Sequence, residues 1–216
     1  MAGSTLSFRA ATPADTHAIG LVGSKAFRDT LSTVIFPARL RTSSEGVVTP
    51  WRAARTLRRM NEGKPTFVAV DTNLDTKEET IVGFAQWEQP GEATSGQEGE
   101  HDEDKATDAL DGEALARMMG AMEAEAKKQL GPDGHARMWY LAVLAIDPEH
   151  ERRGIGRTLV RWGLEQAAAE EDGKVFLIAT AEGKPLYEAL GFRVLGEFDA
   201  AGLRHYSMLW TSDVSN

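Results

Sequence analysis

The sequence predicts an α/β domain built on a mixed sheet. Three observations carry this. First, "PTFVAVDT" (65–72) and "TIVGFAQWE" (80–88) are strand-forming runs joined by the turn region "NLDTKEE", the pattern of an antiparallel hairpin. Second, "RMWYLAVLAIDP" (137–148) is a strongly apolar, central-type strand that runs into a glycine turn, then into a helical pattern, then into a further buried strand, "GKVFLIAT". Third, the chain closes on two more runs, "RVLGEFDA" and "RHYSMLW", which read as a second hairpin. No internal repeat interrupts this order.

The remaining elements follow from local chemistry. "LSFRAA" (6–11) is a short strand. "TPADTHAIGLVGSKAF" is a helix: Thr12 can cap it, Pro13 suits its first turn and Asp15 stands three residues after the cap. "RDTLSTVIFPARL" holds a short helix broken near Pro37. "TPWRAARTLRRMNEG" is helical, with Thr49 as cap, Pro50 in the first turn and Gly63 near the stop; its arginines read as a solvated face. "ALDGEALARMMGAMEAEAKKQL" is an amphipathic helix whose Met118, Met119 and Met122 meet the core or a substrate cleft, with core as the default, and "GPDG" ends it. After the glycine turn a helix is expected over about 156–171, with Leu159, Trp162, Gly163 and Ala167 on its apolar side. "GKPLYEALGF" is a short helix that stops at Gly191.

Composition narrows the class. The 216 residues suit a single domain spanning 1–216. Within it "QPGEATSGQEGEHDEDKATD" (89–108) changes character: it is acidic and holds no large apolar residue, so it reads as a flexible insertion. A solvated loop is the plain reading; a lid or a docking tail for a basic partner is the functional one. The net charge of −9 and pI of about 5.1 count against a nucleic-acid partner. With no cysteine, disulfides, thiolate nucleophiles and cysteine-ligated zinc are excluded. His101, His135 and His150 lack metal-ligand spacing, and no metal is expected. "MAGSTLSFRAATPAD" has no basic region followed by an apolar core, and no apolar run approaches the ~20 residues of a membrane span. The expected setting is the cytoplasm, with the nucleus compatible and no membrane partner.

The glycine turn, "DPEHERRGIGRTLV", carries the chemistry. Glycine between a strand and a helix lets backbone N–H groups and the helix dipole meet anionic oxygens. A dinucleotide fold needs a third glycine three residues after Gly156, where Leu159 stands, and a P-loop needs G-K-[ST], which is absent. The stretch resembles the acyl-CoA-binding motif of the GNAT superfamily of N-acetyltransferases. That pattern is Gln or Arg, two residues, Gly, one residue, then Gly or Ala. It is met by Glu151, Arg152, Arg153, Gly154, Ile155 and Gly156, with Glu151 departing at the first position. A second motif of the family, a strand followed by a helix with Tyr and then Gly-Phe, is matched by "VFLIATAEGKPLYEALGF", with Tyr187, Gly191 and Phe192. The resemblance covers most of the chain, leaves the acidic insertion aside, and is closest in character to fungal small-molecule members.

The resemblance implies a mostly antiparallel sheet of about six to seven strands, flanked by helices and splayed around an acyl-CoA cleft. It implies acetyl-CoA as cosubstrate and direct transfer of the acetyl group to a small-molecule amine, with no covalent intermediate. Leu144, Ala145 and Ile146 would offer backbone groups to the pantetheine arm. N–H groups from Arg152 to Arg157 would hold the pyrophosphate. Arg152, Arg153, Arg157 and Arg161 would add positive charge, and Thr158 and Ala181 complete the cofactor set. Tyr187 would protonate the departing thiolate. The family's strand carboxylate is missing from "YLAVLA", so Glu88, at the end of its strand, is the first candidate base; a solvated Glu88 is the plainer reading. Asp199, His205 or an ordered water are the alternatives. Phe27, Phe36, Trp87 and Trp139 could line the acceptor pocket, with core packing as the default. A protein N-terminus or lysine as acceptor, and a non-catalytic acyl-CoA-binding module, remain open, as do monomer and homodimer.

Overall fold

The computed structural model describes residues 3–40, 46–91, 107–170 and 172–212. Residues 92–106, most of the expected acidic insertion, lie outside the described residues. Seven strands form one sheet in the order β1-β2-β3-β4-β5-β7-β6. They are β1 (Ser4–Ala10), β2 (Thr66–Asn73), β3 (Glu79–Glu88), β4 (Trp139–Ile146), β5 (Lys174–Thr180), β6 (Arg193–Ala200) and β7 (Leu203–Thr211). The pairs β1–β2, β2–β3, β5–β7 and β6–β7 are antiparallel, and β4–β5 is parallel. The helices are α1 (Thr16–Ala26), α2 (Leu31–Ile35), α3 (Val48–Asn61), α4 (Gly112–Leu130), α5 (Ile155–Ala168) and α6 (Lys184–Glu188). The mixed α/β sheet and both hairpins are as the sequence predicts.

The elements fall into two compact units. The first takes Met1–Gln86, His101–Asp111 and Val143–Leu159; the second takes Trp87–Glu100, Gly112–Ala142 and Val160–Asn216.

In the first unit, α1 lies on the sheet through Ile19 and Val22, which pack with Val68, Val70, Phe84 and Ala145. The entry to α1 is held by Asp15, whose carboxylate accepts the Thr12 backbone N–H at 2.7 Å and both Arg9 Nη groups at 2.8 and 2.9 Å. The Arg9 hydrogen bonds, more than any other contact, hold the Asp15 carboxyl down to about 2. Helix α3 starts at Val48, one residue ahead of the expected cap at Thr49. Thr49 turns inward instead, its hydroxyl 3.0 Å from Ser24 Oγ on α1. The helices approach this closely because Gly20 has no side chain: a Cβ there would lie 2.6 Å from the Thr49 carbonyl oxygen. The arginines of α3 also depart from the expected solvated face. Arg59 is buried, and Arg52 stacks its guanidinium over the Phe27 ring, 5.0 Å from the centroid. An arginine stem packs as apolar surface and its planar head stacks on aromatic rings, so a helical spacing of arginines does not by itself mark the wet side.

In the second unit, β4 pairs with β5 through Trp139–Leu141 against Val175–Leu177. Trp87, Trp139 and Trp162 form a cluster with ring centroids 6.2 to 6.3 Å apart. Gly163 makes room for it, since a Cβ there would stand 2.3 Å from the Trp87 ring. Helix α5 ends at Ala168, short of the expected 171. Gly173 presses against its last turn, and a Cβ on Gly173 would meet the Ala167 carbonyl oxygen at 2.1 Å. On α4, Met118 is buried as expected, beside a buried Glu125. Burial alone would raise the Glu125 pKa. Hydrogen bonds from Gln129 at 2.7 Å and Ser207 at 2.9 Å outweigh it and hold the carboxyl below its ordinary value.

Candidate functional site

In the first unit, β4 ends at Ile146 and the following turn is tied down at two places. At the near end stands Asp147. Its backbone N–H donates to the Val82 carbonyl at 2.9 Å, and its carboxylate accepts the Glu149 N–H at 3.1 Å and the Lys25 ammonium at 2.6 Å. Burial would raise the Asp147 pKa, but the Lys25 and Glu149 hydrogen bonds overcome that and lower it. At the far end Arg153 Nη1 donates to Asp71 Oδ2 on β2 at 2.5 Å, and Nη2 reaches Ser4 Oγ at 3.3 Å. His150 Nε2 lies 3.6 Å from the same Asp71 oxygen. The Arg153 hydrogen bond keeps the Asp71 carboxyl below its usual range.

Between these ties the backbone turns left-handed at Arg152, with φ 63°, and at Gly154, with φ 79°. Glycine adopts this freely. At Arg152 it costs about 1–2 kcal/mol, a strain that the flanking ties hold in place. Helix α5 begins at once. Its first bond is donated by the Thr158 N–H to the Gly154 carbonyl at 3.1 Å. The N–H groups ahead of it, from Arg152 to Arg157, meet no acceptor among the described residues. A Cβ on Gly154 would have nothing within 4 Å, so the space over this backbone is open. Free N–H groups at a left-handed turn, joined to a helix N-terminus, make an anion-binding concavity. The residues present fit a pyrophosphate.

Three contributors to this geometry were not among the expected site residues: Asp71, Asp147 and Gly83. A Cβ on Gly83 would lie 2.9 Å from Ile155 Cγ2 and 3.3 Å from the Ala145 carbonyl oxygen, so its absence lets the first turn of α5 settle on β3 and β4. The signal was present, because a lone glycine inside a strand run marks close backbone approach. Among the expected contributors, Leu144 and Ile146 are half-buried on β4, Ala145 is buried, and Glu151 and Arg152 are exposed. Arg153 is engaged with Asp71.

The second unit holds Glu88, Arg161, Ala181 and Tyr187. Arg161 is exposed, as is Ala181, which follows the end of β5. Tyr187 is buried on α6, its ring 5.7 Å from Phe192 in an edge-on contact. The Leu190 and Phe192 N–H groups both donate to its carbonyl at 3.0 Å, and Gly191 takes φ 91° to allow that close. Burial pushes the Tyr187 phenol well above its ordinary pKa, so it keeps its proton throughout the neutral range. Glu88 is not solvated: it is 2% exposed and its Oε2 lies 3.5 Å from His135 Nε2. His135 in turn stacks on Tyr140 at 4.0 Å. The sequence could not show this, because His135 arrives from the loop after α4.

The alternative bases have their own partners. Asp199 is exposed and pairs with Arg204 at 2.7 Å; His205 is buried with Nδ1 2.9 Å from the Leu203 carbonyl. Phe36, Trp87 and Trp139 are core residues, while Phe27 is half-buried beneath Arg52. Among the described residues no group of three or more His, Asp or Glu gathers as a metal site, and no helix is long and apolar enough to cross a membrane.

Comparison with known proteins agrees with this geometry. Residues 99–212 match the Acetyltransferase (GNAT) domain family. A 60-residue stretch is 37% identical to YitH of Bacillus subtilis, described as an uncharacterised N-acetyltransferase. That stretch takes in 28% of this chain, which thereby spans only 21% of the relative's length. In fold the chain is similar to a mosquito arylalkylamine N-acetyltransferase-like protein, with a TM-score of 0.64 and 13% identity over 96% of this chain and 100% of that one. It is likewise similar to a GNAT superfamily phosphinothricin acetyltransferase from Sinorhizobium meliloti, solved in complex with acetyl-CoA, with a TM-score of 0.57 and 16% identity over 96% and 88%. None of these three is fungal. The family match covers more than half of the sequence and takes in the glycine turn, α5 and the Tyr187 helix: the chain belongs to the GNAT acetyltransferase family.

Proposed function

We propose that this chain is an acetyl-CoA-dependent N-acetyltransferase that passes the acetyl group to the amine of a small molecule by direct attack. The observation that carries the reading is the row of N–H groups from Arg152 to Arg157, left-handed at Arg152 and Gly154, that meets no acceptor among the described residues. Family membership and the acetyl-CoA complex of the Sinorhizobium protein support it. The reading takes residues 1–216 as one acyltransferase domain, supported by a family match that runs through elements of both units. It places the protein in the cytoplasm, alone or as a homodimer.

In this reading the turn holds the pyrophosphate by backbone, and Thr158 stands beside it. Leu144, Ala145 and Ile146 offer backbone groups to the pantetheine arm, and the reading counts Ala181 among the cofactor residues. Holding thioester and amine together supplies much of the rate. Tyr187, neutral through its burial, donates to the sulfur as thiolate charge develops. Its raised pKa favours a strong hydrogen bond over early proton transfer. Glu88, paired with His135, takes the proton of the attacking amine.

The test is thiol release from acetyl-CoA across a panel of small amines, run beside peptides with free N-termini or lysines. Turnover confined to the peptides would overturn the small-molecule assignment. Tyr187→Phe lowers kcat by about 100-fold while calorimetry finds acetyl-CoA affinity nearly unchanged; unaltered kcat would remove Tyr187 from the acid role.

A further inference from the structure

Arg52 is a cation of the first unit that the site described so far does not use. It projects from α3 against two aromatic rings, its guanidinium carbon 5.0 Å from the Phe27 centroid and 5.8 Å from that of Trp51. Its stem fits because residue 23 is glycine: a Cβ there would meet Arg52 Cδ at 3.1 Å and Phe84 Cζ at 3.6 Å. Its one hydrogen bond among the described residues runs from Nη2 to Ser32 Oγ at 3.1 Å. Nε is buried and makes none. Among the described residues no carboxylate lies within ion-pair distance of Arg52. The neighbouring charge is of its own sign, Arg55, which stacks on the other aromatic partner, Trp51, at 4.9 Å. Burial, with the Arg55 charge second, draws the Arg52 pKa down to about 10. It is therefore still a full cation at neutral pH, half-buried against aromatic rings and with no counter-charge among the described residues. A guanidinium held against two rings, with its Nε buried and unsatisfied and no carboxylate beside it among the described residues, is placed to receive one.

Its position says what that partner belongs to. Phe27, under the guanidinium, packs on the cluster of Ile19, Val22, Val68, Val70, Phe84 and Ala145, and so does Val143. Val143 and Ala145 alternate on β4 with Leu144 and Ile146, the backbone proposed to receive the pantetheine arm. Arg52 thus belongs to the helical layer on the α1 face of that strand. The turn proposed for the pyrophosphate opens at the N-terminus of α5, whose Ile155 meets the opposite face of β3 at Gly83. An anion at Arg52 is a different group from the pyrophosphate.

We infer that Arg52 is a specificity residue for the acceptor, and that the acceptor is an amine that also carries a carboxylate, bound by the Arg52 guanidinium beside Ser32. A planar guanidinium matches a carboxylate edge to edge and gives it charge-assisted hydrogen bonds. Phe27 and Trp51 would hold the plane of the guanidinium, so little freedom is lost on binding. This inference rests on the acetyltransferase reading and deepens it.

The experiment uses the full chain, acetyl-CoA and matched pairs of acceptors: amino acids and the amines left when their carboxylate is removed. Wild type is expected to turn over the carboxylate partner of at least one pair with kcat/KM at least about tenfold higher. Arg52→Gln raises KM for that acceptor by about tenfold or more, leaves kcat within about threefold, and leaves acetyl-CoA affinity and the decarboxylated amine unaffected. Arg52→Lys, which keeps charge and stem, restores part of the affinity, and it replaces Arg52→Gln should that variant fail to fold. A preference that survives in Arg52→Gln, or equal use of both members of every pair by wild type, overturns the inference while the acetyltransferase reading stands. Failure of wild type to bind acetyl-CoA in calorimetry overturns the reading beneath it.

Discussion

Helix α3 and the turn after β4 both carry clustered arginines, and the two clusters are used in opposite ways. In the turn the side chains are secondary. Arg153 is spent on Asp71, Arg152 is exposed, and what faces outward for an anion is backbone. On α3 the backbone is closed in a helix and the side chain carries the possibility of recognition, in Arg52. Backbone recognition tolerates changes of side chain but not of φ; side-chain recognition does the reverse. In the proposed reading the contrast also separates the two ligands, because a phosphate met by N–H groups can be shared across a family while an acceptor met by one arginine is particular to a chain.

The sharpest way to break this contrast is at Gly154. Gly154→Val places a β-branched residue at φ 79°. Loss of two charge-assisted backbone contacts, at about 1.5 kcal/mol each, lowers acetyl-CoA affinity by about 100-fold. Calorimetry checks it, and intact affinity would show that the turn is not the binding element.

Next in size is Arg153→Ala, which removes the strongest partner of the buried Asp71 and destabilises the fold by about 1–3 kcal/mol. The pH dependence has a definite sign. Asp71 has a lowered folded-state pKa, so its contribution is fully present above the unfolded value near pH 4 and is lost as pH falls through the folded value. The gap between wild type and Arg153→Ala, read by urea melts, therefore narrows on acidification. A gap that stays constant down to pH 2 would mean that the pair contributes nothing.

Arg52→Met tests the other cluster. Replacing a half-buried cation that has no carboxylate partner among the described residues by an apolar side chain is neutral or stabilising, by about 1 kcal/mol, a rise in melting temperature of about 2–4 °C. A large fall would show that Arg52 holds the fold together. The smallest effect belongs to Arg152→Gly. Relief of the left-handed strain and the added freedom of the unfolded chain nearly cancel, leaving stability within about 1 kcal/mol and acetyl-CoA affinity unchanged.

What could be read in advance follows the same division. Strands, hairpins and the short Tyr187 helix were legible because alternation, apolar runs and Gly or Pro punctuation are local. The glycine turn was legible because the need for φ above zero at Gly154 is written in the residue. Thr49 was read as a cap and is instead a contact to Ser24, a partner 25 residues earlier in the chain. Glu88 looked like a solvated strand end until His135 closed over it. The α3 arginines looked wet because charge is visible in a sequence and an aromatic lining from other segments is not. Gly83 stood in plain view, and only the position of α5 shows what it is for.

Trp51 sits with two guanidinium groups over its rings, at 4.9 and 5.8 Å, and it is the sole tryptophan of the first unit; the other four of the chain belong to the second. An indole excited under two positive charges emits at an energy set by the local electric field. Neutralising one of those charges changes that field, while an anion bound at the glycine turn leaves it alone. The protein thus has a built-in optical voltmeter beside Arg52, readable in a variant whose remaining tryptophans are replaced by phenylalanine.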